Sequence, residues 1–214
     1  MERSEEILRH WFGEVGDGWD SPQDRDAAWF GKDPAVDAEL RRLFLPDLER
    51  AAAGLLRDWA KTPRGRLALI LLLDQMPRNI HRGTPAAFAH DRQALALARE
   101  GIDLGHDRAL KGIERAFFYL PFEHAESLEA QETSVRLYRR LLDEAPAHAK
   151  DRFRVFLDYA EAHRRIIERF GHFPHRNAIL GRETTPEEEA FLQTLTTGSR
   201  IFDTAVAAAK QRGA

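Results

Sequence analysis

The run Leu67-Ala68-Leu69-Ile70-Leu71-Leu72-Leu73 constrains this chain more than any other stretch. Thr62-Pro63 just ahead of it is a helix start. A hydroxyl at the cap position accepts an orphan N–H, and a proline in the first turn loses no intrahelical bond. The helix that follows is apolar on every side, so other helices have to enclose it. At about 1.5 Å per residue it crosses roughly 22 Å between Pro63 and Pro77. That apolar run is shorter than the roughly 18 residues a membrane span requires. Burial gives way to polarity abruptly at Asp74, in the stretch Leu73-Asp74-Gln75-Met76-Pro77-Arg78-Asn79-Ile80-His81-Arg82-Gly83-Thr84-Pro85. An acid in a last helical turn opposes the macrodipole, so local helix preference does not account for Asp74. Arg78, four residues on, is within its reach. Pro77 offers no N–H to the Leu73 carbonyl, which is expected to turn to Arg78, Asn79 or water.

The rest of the chain supplies the enclosing helices. Residues 4 to 12 form an amphipathic helix with Ser4 as cap and Ile7, Leu8, Trp11 and Phe12 inward. Ser21-Pro22 and Asp33-Pro34 each start a further helix. The first carries Trp29-Phe30 as core anchors, and the second ends or kinks at Pro46. Leu48 to Trp59 continues as helix. Asp91 caps the helix of Leu95, Ala98 and Ile102. Pro121 is expected to break the aromatic-rich helix 113–120 before Phe122-Glu123-His124-Ala125-Glu126. Ser127 opens a helix ending at Pro146. The helix after it places Phe153, Phe156, Ala160, His163, Ile167 and Phe170 on one stripe. Thr185-Pro186-Glu187-Glu188 is a capping box that starts a helix bearing Phe191, Leu192 and Leu195, and Ile201 to Lys210 adds a last one. No segment alternates as a strand. The expectation is an all-α protein of about nine to eleven helices in antiparallel hairpins. It forms a single domain over 1–214, with helices 1–60 packing on central and C-terminal helices 62–210.

Composition narrows the function classes. With 214 residues, 43% apolar and 31% charged, the chain can bury a proper core. A formal charge of −3 gives no broad positive field for a phosphate backbone, so nucleic acid is excluded as main partner. No cysteine is present, which removes disulfides, thiolate metal sites and thiol nucleophiles. The first residues lack a secretory signal, no stretch is apolar enough for a membrane, and the cytoplasm is the expected compartment.

The ingredients of the first polar stretch recur near the other end. Phe170-Gly171-His172-Phe173-Pro174-His175-Arg176-Asn177-Ala178-Ile179-Leu180-Gly181-Arg182-Glu183-Thr184-Thr185-Pro186 repeats Pro, Arg-Asn, Ile, Arg and Thr-Pro in order. Together with Tyr119-Leu120-Pro121-Phe122-Glu123-His124-Ala125-Glu126, these motifs closely resemble the bacterial family catalogued as domain of unknown function 924, from Trp11-Phe12 to Leu195. The resemblance implies an α-α superhelix related to tetratricopeptide-repeat proteins. It implies no activity and no catalytic residue. No repeat of about 34 residues with the tetratricopeptide pattern is visible, so any repeats have diverged past recognition.

The three polar motifs suggest one pocket at the ends of the buried helices, lined by Asp74, Arg78, Asn79, Arg82, Glu123, His124, His163, His175, Arg176, Asn177 and Arg182. Two guanidinium forks with amide neighbours suit a small anion or a peptide carboxylate. The plainer reading makes Asp74 and Glu123 the partners of Arg78 and Arg176, in buried ion pairs whose disruption costs about 3–5 kcal/mol. Glu123, His124, His163 and His175 are also ligand types for zinc, but no His-Glu-x-x-His occurs. Acid/base catalysis would use Glu123, desolvated among Phe117, Phe118 and Phe122, with His124 or His163. No Gly-x-Ser-x-Gly elbow supports a serine hydrolase. A last alternative is an interaction scaffold whose helix grooves take a peptide or a second copy of the chain. No cofactor is implied.

Overall fold

The computed structural model describes residues 2–16, 18–19 and 25–196. Among these residues the secondary structure is all helical, with no strand. The helices are α1 (Arg3–Phe12), α2 (Arg25–Phe30), α3 (Pro34–Ala52), α4 (Pro63–Ile70), α5 (Met76–Ile80), α6 (Asp91–Asp103), α7 (Gly112–His124), α8 (Leu128–Glu144), α9 (Lys150–Phe170), α10 (Asn177–Leu180) and α11 (Pro186–Thr196). The chain divides into two compact units, Met1–Pro121 and Phe122–Ala214, with the division falling inside α7. The expected start at Ser21-Pro22, the side chain of Leu195 and the expected helix from Ile201 to Lys210 lie outside the described residues.

In the first unit α4 is the axis, and α1 and α6 pack on it. Every residue from Leu67 to Leu73 is buried, and the Thr62 hydroxyl caps the helix through the Gly65 N–H. Helix start signals were legible where a small polar side chain precedes proline: Asp33 likewise accepts from the Ala35 N–H. Ser4 is different. It lies inside α1, buried, and Glu2 occupies the cap position.

Proline is absorbed rather than obeyed at two positions. Pro46 lies within α3 and Pro121 within α7, so neither helix ends where the sequence suggests. A single proline forfeits one backbone bond, and the buried face of each helix outweighs that loss. What ends α3 is Gly54, at φ 73°, a left-handed backbone that suits glycine. A 3-10 turn over Arg57–Lys61 then replaces the helix expected through Trp59.

At Pro77 the chain adapts instead. Residues Leu71–Gln75 form a π-helical turn in which the Met76 N–H reaches the Leu71 carbonyl. Widening the turn makes room for the Pro77 ring and lets α5 continue the rod.

In the second unit α8 and α9 form a helical hairpin. Lys150 Nζ donates to the Leu142 carbonyl at 2.8 Å, Tyr138 stacks on Phe156 at 5.9 Å, and Arg139 pairs with Glu161 at 3.0 Å. From the Leu142–Lys150 bond to the Tyr138–Phe156 stack, residue numbers fall along α8 as they rise along α9, so the pair is antiparallel. Ile166, Ile167 and Phe173 form a core against which Phe170 and Phe191 pack.

Candidate functional site

In the first unit, the residues singled out by the sequence form one closed network. Asp74 is fully buried on the π turn, accepting from Gln75 Nε2 at 2.6 Å and pairing with Arg78 at 3.3 Å. The fork of Arg78 is filled by Asp91, the residue expected to cap α6. Arg78 Nη1 and Nη2 lie 2.9 and 3.0 Å from the two Asp91 oxygens. Asp91 is the first residue of α6, with His90 at the cap position, so its carboxylate faces Arg78 instead. The Asp74 carbonyl also accepts from Arg78, and the Gln75 carbonyl accepts from Asn79, so neither side chain serves Leu73 as expected. Burial alone would pull the Arg78 pKa down, but Asp74 and Asp91 outweigh it and hold it above the usual guanidinium value. Arg82 makes a second fork, on the Asp37 carboxylate at 2.7 and 2.8 Å, and donates to Asn79 Oδ1 at 2.7 Å.

In the second unit, His163, His175 and Arg176 gather around Phe173, and Glu123 and His124 lie beside His163. Arg176 Cζ lies 4.6 Å above the Phe173 ring centre, and the His163 and His175 rings are 5.4 and 5.5 Å from it. The His124 ring is 6.4 Å from that of His163. His163 Nδ1 is 2.9 Å from the Tyr159 carbonyl and 3.3 Å from Glu123 Oε1. A carbonyl only accepts, so Nδ1 carries the proton and the neutral ring keeps its lone pair on Nε2. The His163 pKa is pushed down to about 3, first by burial and then by His124, His175 and Arg176, although the bond to Tyr159 acts the other way.

The end of α7 that presents Glu123 and His124 is held by side chains. Arg176 Nη2 donates to the His124 carbonyl at 3.1 Å. Gln131, fully buried on α8, donates to the carbonyls of Glu123 at 2.6 Å and Ala125 at 2.8 Å. No sequence signal points to Gln131, because its role depends on a turn between helices rather than on a motif. Glu126 fixes the following loop, accepting the Phe173 N–H at 3.0 Å and the Arg182 fork at 2.9 and 2.7 Å. Burial would raise the Glu126 pKa, but Arg182, the Phe173 N–H and the charge of Arg176 hold it below the usual carboxylate value. Asn177 is fully buried and donates toward Thr184 and Glu188, 3.4 Å from each. Thr185 and Glu188 make the reciprocal bonds of the expected capping box, 2.7 and 3.2 Å long.

The two Arg-Asn motifs are therefore alike in type and unlike in use. Each ends in an arginine that forks an acid distant in sequence, Arg82 on Asp37 and Arg182 on Glu126. The leading arginines differ: Arg78 grips a carboxylate, and Arg176 closes a helix end. Among the described residues no group of three or more His, Asp or Glu side chains is arranged to hold a metal ion, so the zinc reading lacks a ligand set. No described helix is long and apolar enough to cross a membrane. A cleft of about 160 Å³ lies in the first unit, lined by residues including Glu5, Arg9, Glu14, Arg64, Lys111 and Glu114, and none of the site residues expected from the sequence lines it.

Residues 7–196 match the family described as "Bacterial protein of unknown function (DUF924)". The chain belongs to this family. A solved structure of a protein of unknown function from Agrobacterium tumefaciens is similar to this family member, at 40% identity over 89% of this chain and 97% of that chain, with a TM-score of 0.75. None of the curated proteins compared with this family member matches it.

Proposed function

We propose that this family member binds a small anion, a free carboxylate or a peptide terminus, at the end of α7 in its second unit. The observation that carries this reading is the gathering of Arg176 and two imidazoles, His163 and His175, about the Phe173 ring, with the His124 ring beside that of His163. His175 is exposed and His124 half-buried, which gives a ligand an approach, while buried Arg176 supplies the permanent charge behind them. His163, neutral near pH 7, adds an acceptor rather than a charge. A base with a pKa near 3 takes few protons from a substrate at neutral pH, so binding is favoured over acid/base catalysis by His163.

The first motif supports a structural role. Its two guanidinium forks are occupied by Asp91 and Asp37, which leaves them poorly disposed to take a ligand carboxylate. Asp74, Arg78, Asn79 and Arg82 are then the parts that tie α5 to α3 and α6. The α8–α9 hairpin supports a tetratricopeptide-like scaffold, and the lack of cysteine supports a reducing compartment such as the cytoplasm.

The test is a titration of the isotope-labelled protein with acetate, citrate and N-acetylglycine, read by amide and imidazole chemical shifts. The expected result is saturable shifts at residues 123–126 and 173–177, weakened about tenfold or more in Arg176→Ala and His175→Ala. Shifts absent at these residues with all three probes, or unchanged in both variants, would refute the reading.

A further inference from the structure

Behind the end of α7, two buried oxygens come from residues three apart on α8. Gln131 and Ser134 are both fully buried, and Gln131 Oε1 and Ser134 Oγ accept or donate no hydrogen bond to protein atoms. The amide orientation of Gln131 is fixed, because its Nε2 faces the Glu123 and Ala125 carbonyls, which accept only. Its Oε1 is therefore a true buried acceptor. Residues three apart on a helix share a face, with about 5–6 Å between their Cβ atoms. The two oxygens are not bonded to each other, and that spacing puts both side chains within reach of one small bridging molecule.

A buried amide oxygen left bare costs about 1–3 kcal/mol, and proteins commonly meet that cost with an internal water. We propose that Gln131 Oε1 and Ser134 Oγ hold an internal water between them, making a solvent site inside the second unit. The chemistry selects water: Gln131 Oε1 needs a donor, Ser134 Oγ can both donate and accept, and two neutral oxygens are too few ligands for a cation. The antiparallel register of α8 and α9 places the pair deep in the hairpin. Four residues back from Tyr138 is Ser134, and four on from Phe156 is Ala160, so Gln131 comes level with His163. The water would thus fix the Gln131 amide, which in turn holds the carbonyls of Glu123 and Ala125.

This inference goes beyond the anion-binding reading and does not depend on it. Its experiment pairs a high-resolution crystal structure with thermal unfolding of Ser134→Ala. The expected density is a water within hydrogen-bond distance of both oxygens. The expected Tm of Ser134→Ala is lower by about 2–4 °C, the shift that a loss of about 1 kcal/mol gives in a chain of this size. Ser134 turned onto a backbone carbonyl of its own helix, with no density beside Gln131, would overturn the proposal. So would an unchanged or higher Tm, because alanine is the better helix former and removes a hydroxyl that had no partner. Neither readout involves acetate, citrate or N-acetylglycine, so failure here leaves the binding titration to stand or fall separately.

Discussion

Arg176 Nη2 lies 3.1 Å from the backbone oxygen of His124, so a guanidinium from the second Arg-Asn motif closes the C-terminal end of α7. The last carbonyls of a helix have no partner within it, and a cation there also opposes the negative end of the macrodipole. Gln131 covers the neighbouring carbonyls, leaving that of His124 to Arg176. Arg176→Ala should lower stability by about 1.5–3 kcal/mol, the range for a hydrogen bond to a charged group. Arg176→Lys should recover only part of it, having a charge without the planar fork. Urea unfolding midpoints of the two variants check this, and equal midpoints for wild type and Arg176→Ala would rule it out.

The Arg78–Asp91 and Arg82–Asp37 pairs have the same forked geometry and different settings. The Arg78 side chain is 19% exposed, next to fully buried Asp74, whereas that of Arg82 is 35% exposed. Leaving a half-buried guanidinium short of a carboxylate should cost about 2–3 kcal/mol in Asp91→Ala. The more exposed pair should cost about 1 kcal/mol or less in Asp37→Ala, and salt should erase that difference. Denaturation at low and high ionic strength separates the two cases. A larger loss from Asp37→Ala than from Asp91→Ala would contradict the structural role assigned to Arg78.

Much of the fold was legible because its causes are local. The all-round apolar run from Leu67 to Leu73 dictated an enclosed helix, and Asp33, Thr62, Ser127 and Thr185 all cap as their spacing requires. Pro46 and Pro121 misled, since a proline's local cost is small beside the tertiary burial of a whole helix face. At the site, the sequence pointed to Glu123, His124, His163 and His175 as chemically capable side chains. It could not show that Asp91 would turn from capping α6 to pairing with Arg78, or that Gln131 would hold α7. Those roles are set by long-range packing, which leaves no periodic trace.

Gly101 marks a close approach of α6 to its neighbours. A Cβ at this position would sit 2.5 Å from Phe118 Cζ and 2.6 Å from Arg66 Cδ. Both neighbours are fixed: Phe118 is fully buried, and Arg66 is held by the Ala60 and Leu97 carbonyls and by Glu100. Gly101→Ala should therefore destabilise by about 1–3 kcal/mol despite alanine's better helix propensity. An increase in Tm would mean that the helices move apart at little cost.

His163 gives the second unit a defined response to acid. Its folded pKa is about 3 against an ordinary value of 6.5. Between those values the unfolded chain binds more protons than the folded one, so stability falls as pH falls. The contribution is complete above about pH 6.5 and is lost progressively toward about pH 3, at about 1.4 kcal/mol per unit. From neutrality to about pH 4.5 the loss should reach about 2–3 kcal/mol. Glu126 and Glu188, whose pKa values are held below normal, also weaken the fold in acid, so the wild-type curve alone does not isolate His163. His163→Asn does, because its amide can still donate to the Tyr159 carbonyl without ionising. Unfolding free energies of the two proteins, measured across this range, should converge as pH drops. Parallel curves would show that the His163 pKa does not change on folding, and curves that diverge in acid would show a ring charged in the folded state with Glu123 as its ion-pair partner.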